Sequence, residues 1–154
     1  MKFDALLLID CWGEEWIRTY SPLNTREFYG RLLDFVEKSK YDKVFFCSTP
    51  MKTHNWFENF YSNHIYIDQL HELTEQLKPG SILLVGGAAW GVCLHHKVDI
   101  NFQSLSTVYQ VYSHPDIVDS YMHKTEKITS THFFNDSLPW IEKQDLFLLP
   151  CNAM

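Results

Sequence analysis

The sequence predicts an α/β fold: one mainly parallel twisted sheet, with helices covering both faces in three layers. Two observations carry that prediction. Short, continuous apolar runs recur along the chain, as in strands buried on both faces. Between them lie segments whose apolar residues fall at helical spacing. The chain has 154 residues, the size of one domain, so residues 1–154 are read as a single unit.

The elements follow in order. Phe3 to Ile9 is the first apolar run, interrupted only by Asp4, and it ends at Asp10. Phe28, Leu32, Phe35 and Val36 make 25–39 an amphipathic helix, with Asn24 and Glu27 as its start signal. Lys43 to Cys47 is the second strand. His64 to Ile67 is a short strand or an extended loop. Asp68 caps a helix that carries Leu70, Leu73 and Leu77 on one face, and Pro79-Gly80 stops it. Ser81 to Val85 is the next strand. Gly86-Gly87 then turns the chain into a helix over 90–104. Thr107 to Tyr112 and Asp145 to Leu149 read as further strands, with a helix or loop over 115–143.

Composition narrows the function classes. The sequence is 45% hydrophobic and 16% aromatic, enough to bury a core, and carries a net charge of -6. Mild acidity without a basic run argues against nucleic acid or an anionic membrane as partner. No stretch reaches the roughly 18 apolar residues of a membrane-spanning helix. The first apolar run stops at Asp10 and is not read as a leader peptide. The four cysteines, at 11, 47, 93 and 151, form no CxxC motif. Their strand-like, apolar neighbours suggest reduced thiols in a cytoplasmic compartment, with a disulfide as the minority reading.

In parallel sheets, ligand sites form outside the carboxyl ends of strands. Asp10, Cys47 to Lys52, Gly86 to Cys93, and Ser113 to Asp116 all fall at that edge. The most informative segment is Leu84-Val85-Gly86-Gly87-Ala88-Ala89-Trp90-Gly91-Val92-Cys93, a strand, a small-residue turn and a cysteine opening a helix. Small residues let backbone amides approach a ligand, and a helix start stabilises a thiolate. That chemistry suits attack on an electrophilic carbon. The same cysteine also fits a small buried core position.

The run from Gly87 to Cys93, with Ala5-Leu6-Leu7-Leu8-Ile9-Asp10 and the strand from Val44 to Pro50, resembles the isochorismatase-like cysteine hydrolases, which include nicotinamidases. The resemblance spans about 1–115 in pattern and implies a Rossmann-like sheet. It also implies Cys93 as nucleophile, Asp10 as its base, and a lysine that favours the thiolate. Substrate contacts would come from Trp12, His54, Ala89, Trp90, Gly91 and Val92, and the substrate would be a small molecule cleaved at an amide-type or related C–N or C–O bond. A homo-oligomer is expected and no cofactor. The sequence departs from the family in three places. The window from Trp56 to Gln69, where the family has its lysine, holds no Lys or Arg, which leaves Lys52 as the nearest candidate. Cys11-Trp12-Gly13-Glu14-Glu15 follows Asp10, and Trp90-Gly91 stands where the family has Thr-Asp or Thr-Asn. A catalytically inactive member, acting as a small-ligand binder or an assembly subunit, is the alternative.

The eight histidines do not suggest a metal site. His95 and His96 are adjacent, so on a helix they point about 100° apart. A helix start separates His64 from His71, and the Pro50 to His54 segment lacks an Asp-x-His pattern. Trp12, Trp16, Tyr20, Trp56, Phe57, Phe60 and Tyr61 cluster in the loops after the first two strands. They fit an aromatic pocket, a loop-anchoring mini-core or an oligomer interface.

Overall fold

Leu6, Leu7, Leu8 and Ile9 have no solvent exposure, as expected for a strand with neighbours on both edges and layers on both faces. The computed structural model describes residues 3–10, 30, 32, 43–47, 64–88, 93–119 and 147–148. Their elements are β1 (Ala5–Ile9), β2 (Val44–Cys47), β3 (His64–Ile67), α1 (Leu70–Gln76), β4 (Ile82–Ala88), α2 (Cys93–His96), α3 (Phe102–Ser106) and β5 (Gln110–Ser113). A 3-10 turn (Pro115–Ile117), β6 (Val118–Asp119) and β7 (Phe147–Leu148) complete them. Of the expected helix over 25–39, Gly30 and Leu32 are described. Both are helical, and Leu32 is buried.

The sheet runs β3-β2-β1-β4-β5, all parallel, with β7 added antiparallel to β5. The α/β class is therefore confirmed, with one antiparallel pairing at its β5 side. Strand β1 is central. Its Ile9 pairs with Cys47 on one side and Gly87 on the other. Chain order reverses across β1 and β4, and such a reversal opens a crevice at the carboxyl ends of the strands. Strand β4 outruns β5. Ile82 to Leu84 pair with β5, and Gly87 and Ala88 pair instead with β6.

Several boundaries differ from the sequence reading, each for a local reason. Gly86 and Gly87 do not turn the chain; they lie within β4. A Cβ on Gly87 would overlap the Ile9 carbonyl oxygen, and one on Gly86 would lie 2.6 Å from the Ile117 carbonyl oxygen. The glycines thus mark close backbone approach within the sheet. The helix expected over 90–104 is two short ones among the described residues. Asp99 takes a left-handed φ of 71°, and Asn101 starts α3 by accepting from the Ser104 amide at 2.9 Å. Gln69, not Asp68, is the residue flanking α1. The Glu72 carboxylate reaches back to the amides of Asp68 (3.1 Å) and Gln69 (3.0 Å). His64 to Ile67 is a strand, and β5 starts at Gln110, later than expected.

Packing follows the pattern. Leu94 of α2, Phe102 and Leu105 of α3, and Ile100 between the two helices are buried in the core. The Tyr109 hydroxyl donates to the Leu77 carbonyl at 2.8 Å, tying the end of α1 to the approach to β5. The Ser113 hydroxyl donates to the Val85 carbonyl at 2.7 Å, stitching β5 to β4 just short of the crevice. No helix among the described residues is long and apolar enough to cross a membrane.

Candidate functional site at the end of the central strand

Asp10 is the first residue beyond β1. Its N–H donates to the Cys47 carbonyl at 2.7 Å, so the β1–β2 pairing extends one residue past the strand. Its φ of 50° then swings the backbone out of extended conformation. Aspartate tolerates this left-handed region better than most residues. The carboxylate ends up inside the protein, 2% exposed, where a lone charge would be costly.

Lys97 supplies the opposite charge. Its Nζ donates to Asp10 Oδ1 at 2.9 Å and Oδ2 at 3.3 Å, and its side chain is 12% exposed. Lys97 is also the residue at which the turn begun by Cys93 closes, because its N–H donates to the Cys93 carbonyl at 3.0 Å. Lys97 follows directly on α2, one helical turn from Cys93. The same segment thus delivers a half-buried thiol and the cation on the buried carboxylate.

Cys47 is the second thiol of this region. Burial pushes it up to about 12, so it is a neutral donor at ordinary pH and not a nucleophile. Lys97 opposes that rise, and Asp10, Asp68 and Cys93 add to it, so these groups lie within electrostatic reach of one another. Beside Lys97 an open depression of about 940 Å³ is lined by Asp68, Leu70, His71, Thr74 and Asp99, among others. It lies between the N-terminal end of α1 and the Lys97–Asp99 segment. At the far side of the edge His114, 5% exposed, accepts from the Asp116 amide through Nδ1 at 3.0 Å.

Of the residues singled out in the sequence, Asp10 and Cys93 are described. The structure places them at the carboxyl end of β1 and at the first position of α2. Lys52, Trp12, His54, Ala89, Trp90, Gly91 and Val92 lie outside the described residues, as do the aromatic loops. Lys97 was missed. Its signal was in the sequence, as Cys93-x-x-x-Lys97 on a predicted helix. The family pattern instead places the lysine upstream, in the window from Trp56 to Gln69. Among the described residues no group of three or more His, Cys, Asp or Glu could hold a metal. No family model, curated protein or solved structure matches the chain.

Proposed function

We propose that this chain is a cysteine hydrolase of the isochorismatase-like type, on a Rossmann-like sheet, cleaving a small amide-type or related C–N or C–O bond in a reducing compartment. The observation that carries the reading is the buried Asp10–Lys97 ion pair, with Cys93 one helical turn from the lysine. Lys97 fills the role left open by the lysine-free window, approaching from the cysteine's own helix. The strand order and the position of Asp10 at the chain reversal support the same reading.

In this scheme Cys93 transfers its proton to the Asp10 carboxylate, and the Lys97 ammonium stabilises the resulting thiolate. The thiolate attacks the substrate carbonyl, and a tetrahedral oxyanion forms. Collapse breaks the C–N or C–O bond, and Asp10 returns the proton to the leaving group. Water then attacks the thioester with Asp10 as base, releasing the acid and the free thiol.

Alkylation of the intact protein by iodoacetamide across pH, mapped by mass spectrometry, tests this. Cys93 is expected to label below pH 7, at least tenfold faster than a small unperturbed thiol, and to lose that advantage in Lys97→Met. If Cys93 labels no faster than the small thiol, the hydrolase reading fails. The chain is then better read as a ligand-binding or assembly relative.

A further inference from the structure

α2 is only one turn long, so the helix alone does not determine where the Lys97 ammonium sits. The segment after it does. The Lys97 carbonyl accepts from Asn101 Nδ2 at 2.9 Å, and the Asp99 carbonyl accepts from Ser104 Oγ at 2.7 Å. Both ties are local to α3. The third crosses the fold. Asp99 Oδ2 accepts from the Leu70 amide at 2.6 Å, at the start of α1 and 29 residues away in sequence. The left-handed φ of 71° at Asp99 aims the carboxylate there.

We propose that Asp99 is a positioning residue for Lys97. By anchoring the 97–101 bracket to α1, it sets the height at which the ammonium meets Asp10. The consequence at Cys93 rests on the hydrolase reading, but the positioning stands on the hydrogen bonds alone. The chemistry at Asp99 is specific. An acceptor is needed at the tip of a short side chain, on a backbone that tolerates positive φ. Asparagine satisfies both requirements. Glycine satisfies only the second, and alanine neither.

The experiment is amine footprinting of the full-length protein with acetic anhydride, read by mass spectrometry, with exposed Lys78 as internal reference. Lys97 is 12% exposed and its Nζ is seated on Asp10, so the amine is shielded from the reagent as long as that seat holds. Asp99→Gly is expected to raise Lys97 acetylation at least threefold relative to Lys78, and Asp99→Asn to leave it at the wild-type rate. Leu70→Pro removes the same bond from the donor side, at a first-turn position that accepts proline. It should deprotect Lys97 likewise, and it decides the matter if Asp99→Gly does not fold. Unchanged Lys97 protection in Asp99→Gly or Leu70→Pro, with only a lowered melting temperature, overturns the proposal, whatever Cys93 does. Deprotection of Lys97 in a protein whose wild-type Cys93 alkylates as an ordinary thiol overturns the hydrolase reading and leaves the positioning role intact.

Discussion

Lys97 Nζ lies 2.9 Å from Asp10 Oδ1 and 3.3 Å from Oδ2, joining residues 87 apart in sequence. The pair couples the end of the central strand to the segment that follows the cysteine helix. Both partners are largely withdrawn from water. The pair is therefore a poor source of net stability, but breaking it is expensive, because one charge then stays buried alone.

Lys97→Met should accordingly destabilise the protein by about 3 kcal/mol in urea denaturation, well beyond a surface lysine change. Asp10→Asn should cost less, since it leaves a cation that can move toward solvent. In the double variant Asp10→Asn/Lys97→Met the loss should be smaller than the sum of the singles by about 1 kcal/mol or more. Additive losses would mean that the two groups do not interact in solution.

How far the sequence carried the fold depends on the kind of signal. β1, β2 and β4 were legible because uninterrupted apolar runs such as Ala5–Ile9 have one reading in a parallel sheet. Gly86-Gly87 misled because glycine signals either a turn or a close approach, and only the neighbouring Ile9 and Ile117 decide which. The break between α2 and α3 was hidden because Asp99 is not a helix breaker by type. It becomes one through its bond to Leu70, a tertiary contact. At the site, Asp10 and Cys93 announced themselves by position after strands. Lys97 did not, because a lysine one turn along a helix is usually a solvated side chain.

The two glycines of β4 give a graded prediction. Gly87→Ala places a methyl group on the Ile9 backbone, with φ at 120° where alanine is strained. The obstacle is the backbone of the central strand, which cannot yield without losing its pairing. A loss of about 4 kcal/mol or more is expected, seen as collapse of the soluble yield or of the denaturation midpoint. Gly86→Ala meets the Ile117 side chain at 2.9 Å and its carbonyl at 2.6 Å. Gly86 has no positive φ, so only the overlap with Ile117 must be relieved, and the cost should be about 1–3 kcal/mol.

Ser113 is fully buried and its hydroxyl has the Val85 carbonyl as acceptor at 2.7 Å. Ser113→Ala removes the donor and leaves that carbonyl with one bond fewer. The expected cost is about 1 kcal/mol in thermal or urea unfolding, without change in Cys93 alkylation. A change in Cys93 reactivity would place Ser113 in the site itself.

Alkaline stability should report on Cys47. Its thiol moves from an ordinary 9.0 up to about 12 in the folded protein, chiefly because burial disfavours the thiolate. The unfolded chain therefore begins to release this proton near pH 9, while the folded chain keeps it. Between those values the unfolded state binds fewer protons, so stability falls as pH rises. The contribution is complete below pH 9 and is lost on the way to pH 12. Tyr109 is raised from 10.0 to about 12 by burial and adds a second loss that begins near pH 10. The interval from pH 9 to 10 thus isolates the thiol of the two. There the wild type should lose stability with a slope approaching about 1.4 kcal/mol per pH unit, the linkage of one proton. Cys47→Val, which keeps an apolar side chain in the strand, should flatten that interval and leave the steeper fall above pH 10. Urea unfolding at pH 8, 9 and 10 in the presence of a reductant measures both. An unchanged slope in Cys47→Val would show that the thiol reaches water in the folded protein and ionises there as it does in the unfolded chain.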